Sequence, residues 1–130
     1  MGTLGIGCNI LKFTEEDIEL SKEMIAEYKE IRHIVQEGDF YRLENTSQND
    51  YHLFQYMNNN QGLLFIFLPQ TKLGHRGVRV KLRGLKENTV YSLIFGDKVI
   101  NKRGAYLMNH GVDFKLCGDY QSEIIRIKEI

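Results

Sequence analysis

Three glycines, Gly2, Gly5 and Gly7, stand just ahead of a helix-start signal in the stretch "MGTLGIGCNILKFTEED". Glycines so placed could let backbone N–H groups approach a phosphate. The dinucleotide pattern is G-x-G-x-x-G between a strand and a helix, whereas the order here is G-x-x-G-x-G. No Gly-Lys-Ser/Thr follows, so the P-loop pattern fails as well. The glycines read instead as a short strand and turn leading into a helix. Carboxylate chemistry has no clear pair to rest on. Asp39, Asp97, Asp113 and Asp119 each sit beside glycine or in a turn-like context, where Asx turns and solvated loops account for them. His33, His52, His75 and His110 are scattered, without the short spacing of metal ligands, so no metal is expected. Cys8 and Cys117 match no metal or redox spacing. Lys72, His75, Arg76, Arg79, Lys81, Arg83 and Lys86 form a local basic run, read as the solvated face of a strand rather than a nucleic-acid contact. Tyr51, Phe54 and Tyr56 could stack on sugar rings, but at strand spacing they read first as mixed core and surface aromatics.

The bulk numbers bound the class. The chain has 130 residues, 42% hydrophobic and 26% charged, with a formal net charge of zero. That suits one ordinary domain, or a small domain with an appendage, and a real core. Zero net charge removes the global electrostatic case for nucleic acid or an anionic membrane. No apolar run approaches the length of a membrane span. The N-terminus lacks the basic region of a signal peptide. With two free thiols, a reducing cytoplasm is the expected compartment.

Two periodicities divide the chain. From Thr14 to Glu37 the pattern is helical. Thr14 is a good N-cap, Asp17 completes a weak capping box, and Glu15, Glu16 and Asp17 complement the helix dipole. Ile18, Ile25, Tyr28, Ile31 and Val35 form an apolar stripe that Met24 and Ile34 widen. Gly38 is expected to end the helix as a C′ residue. Beyond it the period becomes two. Candidate strands are Phe40–Leu43, Tyr51–Met57, Leu63–Leu68, Val78–Arg83, Val90–Phe95, Ala105–Met108 and Glu123–Ile127, separated by turn signals. Leu63–Leu68 is apolar on both faces and predicts a central strand covered on both sides. The expected fold is mainly β: an antiparallel β-sandwich preceded by a strand stub and one long amphipathic helix.

These same residues resemble one family. The stretch "GTLGIGCNILKFTEEDIELSKEMIAEYKEIRHIVQEGDFYRL" is similar to the last strand and helix of the catalytic barrel in glycoside hydrolase family 36 α-galactosidases. Gly2, Leu4 and Gly5 match its strand; Asn9, Ile10 and Lys12 its turn; Thr14, Glu15 and Glu16 its cap. Tyr28, Lys29, Arg32, Gln36, Gly38, Tyr41, Arg42 and Leu43 follow in register. "LRGLKENTVYSL" and "RGAYLMNHGVDFKLCGDYQSEIIRI" resemble the family's later segments. Cys8, Arg103, Cys117 and the Asn58–Gly62 turn depart from the family pattern. The resemblance implies two parts: residues 1–37 as the terminal βα unit of a (β/α)8 barrel, and residues 38–130 as a C-terminal antiparallel β-sandwich domain.

It also implies an activity that this chain alone is not expected to perform. Retaining hydrolysis of terminal α-galactosyl residues uses a nucleophile and an acid/base about 5–5.5 Å apart. By the resemblance both are aspartates on earlier barrel strands, so no catalytic residue and no cofactor is expected here. Gly7, Cys8 and Asn9 would stand at the pocket rim of an intact enzyme, as substrate-binding candidates; a tight strand-to-helix turn is the plainer reading of them. The expected partners are the missing barrel portion, or a second copy through the helix stripe, and α-galactosides only in an intact enzyme. The alternative is a free-standing β-sandwich module that binds carbohydrate or a partner protein. The stripe discriminates the two: a self-sufficient module covers it with its own sheet, a fragment leaves it exposed.

Overall fold

A computed structural model describes residues 4–45, 50–74 and 76–130; Gly2 and His75 lie outside them. Helix α1 (Glu15–Glu37) starts where the cap chemistry requires. The Asp17 amide donates to Thr14 Oγ1 at 3.2 Å, and the Thr14 amide donates back to Asp17 Oδ2 at 2.9 Å. The reciprocal box forms with aspartate in place of the usual glutamate. At the other end Gly38 is extended, at φ −80° and ψ 156°, not left-handed as a C′ glycine would be. Its need is for space: a Cβ there would press on the Ile34 carbonyl and stand 2.8 Å from the Met57 carbonyl oxygen. Glycine lets the chain turn from the helix directly into the sheet.

The strands are β1 (Asp39–Arg42), β2 (His52–Asn58), β3 (Gln61–Leu68), β4 (Val78–Val80), β5 (Val90–Phe95), β6 (Lys98–Arg103), β7 (Val112–Phe114) and β8 (Gln121–Glu129). Six form one sheet in the order β1-β2-β3-β8-β5-β6, and β4 pairs with β7 in a second layer. Every pairing is antiparallel. The result is a lopsided sandwich. As its composition requires, β3 lies inside the large sheet, between β2 and β8. Leu64, Ile66 and Leu68 enter the core between the layers, while Leu63 and Phe65 face α1.

Three further expectations are corrected, and one strand lies outside them. Residues 4–9 form no strand, because a strand needs a neighbour to complete its ladder and these residues pair with none of the described strands. Ala105–Met108 is not a strand but part of helix α2 (Gly104–Asn109). Four residues cannot separate a period of two from one of 3.6, and the Gly104 and Ala105 amides donate to the Thr89 and Glu87 carbonyls, which fixes the turn. Val78–Arg83 keeps its alternation, with Val78, Val80 and Leu82 buried, but its ladder stops at Val80. Strand β6 carries too few apolar residues to announce itself, and its six-residue ladder with β5 holds it at the sheet edge.

The short ladder of the second layer leaves backbone groups that the large sheet must satisfy. Gln55, fully buried on β2, donates Nε2 to the Arg83 carbonyl at 2.7 Å and accepts the Arg83 amide at 2.9 Å. The Tyr91 hydroxyl accepts the Lys86 amide at 3.1 Å, and that of Tyr51 accepts the Leu116 amide at 3.3 Å. Burial pushes the Tyr51 phenol above its ordinary value, with the Leu116 amide opposing. Replacing Gln55 by leucine keeps its bulk and removes the partner of the part-buried Arg83 N–H and C=O. Gln55→Leu is expected to lower unfolding free energy by about 2–4 kcal/mol, read from urea melts.

Candidate functional site

The first turns of the chain were the candidate pocket rim. Gly7, Cys8 and Asn9 are all exposed. Asn9 has a local structural role, since its Oδ1 accepts the Leu11 amide at 3.1 Å and caps a short 3₁₀ turn over Ile10–Lys12. A Cβ on Gly5 or Gly7 would meet nothing within 4 Å, so neither glycine is required by crowding.

The aspartates do not converge. Asp39 lies in β1 and Asp97 in the turn after β5. Asp119 accepts the Thr71 amide at 2.7 Å. Asp113 takes a two-pronged contact from Arg79, Nε to Oδ1 at 2.8 Å and Nη2 to Oδ2 at 2.7 Å. That guanidinium holds the Asp113 carboxyl below its usual range, the opposite of what a proton donor at neutral pH needs. Lys72, Arg83 and Lys86 of the basic run likewise face Asp50, Glu44 and Glu129. Among the described residues no group of three His, Cys, Asp or Glu side chains could hold a metal, and no helix is long and apolar enough to cross a membrane.

What the surface does offer is apolar area along α1. The predicted stripe divides. Its C-terminal half is docked: Ile31 and Ile34 are buried against Tyr56, Leu63 and Phe65, with Tyr28 and Val35 at the margin. Arg126 on β8 reaches Glu30 at 3.0 Å and Glu27 at 3.8 Å across the seam. The N-terminal half overhangs the sheet. Leu20 and Met24, at spacings of four and seven toward Ile31, continue the docked face yet are 57% and 50% exposed. Ile18 and Ile25 lie about 120° further round the helix, on a separate seam. Leu11, 94% exposed, and Ile10 add exposed apolar side chains ahead of the cap.

A second exposed feature lies on the same side of the sheet. Phe40, 52% exposed, stacks on Phe54 at 6.0 Å between ring centroids. Phe54 meets the Phe67 ring edge-on at 6.1 Å. The sugar-stacking candidates Tyr51 and Tyr56 are buried, at 2% and 4% exposure, and cannot present their faces; only Phe54 remains. Burial alone raises the Tyr56 phenol. Phe40 and Phe67 were not singled out from the sequence, because only the β1–β2–β3 register brings the three rings together.

A family model, the glycosyl hydrolase family 36 C-terminal domain, matches residues 51–127. The chain is similar to a probable α-galactosidase G of Aspergillus terreus, 27% identical over 130 residues, covering 98% of this chain and 18% of the relative. A probable α-galactosidase G of Emericella nidulans is 30% identical over 129 residues, covering 98% and 17%. The crystal structure of the family 36 α-galactosidase AgaA from Geobacillus stearothermophilus superposes with a TM-score of 0.78 at 27% identity, over 93% of this chain and 17% of that one. The chain therefore spans less than a fifth of the length of these relatives.

Two tests follow from this geometry. A depressed Asp113 carboxyl contributes stability above the ordinary carboxylate range, near pH 4, and loses it as pH falls through the lowered folded value. NMR titration should place Asp113 below a free aspartate, with Arg79→Ala restoring it and salt weakening the difference, since the pair is exposed. On α1, Leu20→Asp, at an exposed position, should raise the solubility of the chain while keeping its cooperative melt. Ile31→Ala should cost about 2–4 kcal/mol in the same melt. Loss of the melt in Leu20→Asp would contradict the division of the helix into docked and overhanging halves.

Proposed function

The chain belongs to glycosyl hydrolase family 36, and we propose that it serves as the C-terminal portion of an α-galactosidase, structural in role and silent on its own. In this reading residues 1–37 are the last βα unit of a catalytic barrel and residues 38–130 the sandwich that supports it. The observation that carries it is the half-docked helix: α1 seats Ile31 and Ile34 on its own sheet and holds Ile18, Leu20 and Met24 out for another body. Burying such a side chain is worth about 1.5–3 kcal/mol, so the overhang is matched to a partner. That partner is the rest of the barrel, and, without it, a second copy of the chain. The two catalytic carboxyl groups, which retaining hydrolysis places about 5–5.5 Å apart, come from the barrel. Gly7, Cys8 and Asn9 stand at the edge of its pocket, and the substrate of the assembled enzyme is a terminal α-galactoside. The exposed thiols Cys8 and Cys117 suit a reducing, cytoplasmic setting.

A second reading, a free-standing module that binds a carbohydrate or a protein, draws on the docked half of α1, because the sheet covers that part unaided. Hydrolysis of a chromogenic α-galactoside by the purified chain, beside a full-length family 36 enzyme, tests the first reading. No turnover above buffer is expected. Turnover that survives repurification would overturn it and would mean that carboxylates assigned here to turns and ion pairs form a site.

A further inference from the structure

We propose that the overhanging half of α1 is a docking face for a protein surface that carries apolar side chains edged by arginine or lysine. Leu20 and Met24, 57% and 50% exposed, stand one turn apart on a single row of the helix. The neighbours of a residue on a helix surface lie three and four positions away. For Leu20 these are Glu16, Asp17, Glu23 and Met24, and for Met24 they include Glu27. Every charged group beside the two apolar side chains is therefore acidic, and all four carboxylates are exposed. Lys22 lies on the far side of the helix from Met24 and pairs with Glu19 at 2.7 Å.

The covered half of the same helix shows what such a rim takes. There Ile31 and Ile34 sit on Tyr56, Leu63 and Phe65, and Arg126 crosses the seam to Glu30 at 3.0 Å and Glu27 at 3.8 Å. An apolar seam edged by a guanidinium is what the sheet offers to α1. Beyond the sheet the same pattern continues without its cover. Asp17 is engaged by the helix cap, where its Oδ2 accepts the Thr14 amide. Glu16 and Glu23 pair with no cation among the described residues. Charge then selects the occupant. A second copy presenting the same face would bring these carboxylates against their own equivalents, and an anionic lipid surface would meet the same repulsion. A basic-edged surface gains at Glu16 and Glu23 while it covers Leu20 and Met24. The inference rests on the proposed reading of α1 as a helix matched to a further body, and it adds the chemistry of that body: the barrel surface facing Leu20 carries the cations. Self-association of the bare chain is accordingly weak at low salt and strengthens as salt screens the carboxylates.

The probe is a fluorescently labelled amphipathic helical peptide of leucine and lysine, compared with one in which glutamate replaces lysine. Each is titrated against the 130-residue chain and read by anisotropy. Saturable binding of the lysine peptide alone is expected, weakened about tenfold between about 0.05 M and about 0.5 M NaCl. The double variant Glu16→Gln/Glu23→Gln, at exposed positions, should weaken binding about tenfold. Leu20→Asp should abolish it even though it adds negative charge, which separates docking from a general attraction of unlike charges; Met24→Gln makes the same test if Leu20→Asp loses its cooperative melt. The proposal is overturned by the absence of saturable binding, by equal binding of the glutamate peptide, or by binding that survives the loss of the apolar side chain or of both carboxylates. Sedimentation showing self-association strongest at low salt would overturn it as well. Turnover is not read at any point, so failure here leaves the C-terminal, silent role of the domain intact, and turnover by the chain would leave this docking face untouched.

Discussion

A second layer built from two strands of three residues has too little ladder to satisfy its own backbone. The rest of the sandwich follows from that shortage. Past Val80 the chain runs on as loop and short helix, with amides and carbonyls that are part-buried and find no ladder partner. An unpaired group there costs about as much as a lost hydrogen bond. The large sheet meets this need with side chains rather than strands. Gln55 presents an amide that mimics a neighbouring peptide to Arg83, and the phenols of Tyr91 and Tyr51 each take one amide from Lys86 and Leu116. A glutamine with no exposed surface in an otherwise apolar face is thereby explained as a substitute for ladder.

The other face of the sheet depends on a different constraint. Strand β3 is apolar on both sides, and a strand so composed must be covered twice. One cover is the core between the layers. The second is the C-terminal half of α1, whose Ile31 and Ile34 close over Leu63, Phe65 and Tyr56. The ion pairs from Arg126 to Glu27 and Glu30 lie at the exposed rim of that seam and add alignment more than stability. Because α1 is longer than the region it covers, its first turns and the segment before them project apolar side chains into solvent.

Particular residues show where sequence reasoning reached and where it stopped. The Thr14–Asp17 box, the central position of β3 and the alternation Val78–Val80–Leu82 depend on neighbours a few positions away, and each appears as expected. Ala105–Met108 was misread because four residues suit either period, and the deciding hydrogen bonds come from Glu87 and Thr89. Gly38 was recognised as the end of the helix for the wrong reason: crowding by Ile34 and Met57 requires it, not a left-handed turn. The aromatic group of Phe40, Phe54 and Phe67 could not be read at all, since its members come together only through strand pairing.

The sequence by itself determined the helix and its cap, the change of period at Gly38 and the mainly β class, because capping, amphipathic spacing and turn chemistry are local and leave a local record; the family was legible only through the resemblance of whole stretches to known members. Only the tertiary structure decided which face of α1 is covered, which carboxylates are engaged by cations and which aromatic rings reach the surface. Those outcomes depend on pairings such as Leu63 with Arg126 and Arg79 with Asp113, between residues far apart in the chain. A single sequence does not encode such distances in any local pattern. They appear only once the sheet has closed.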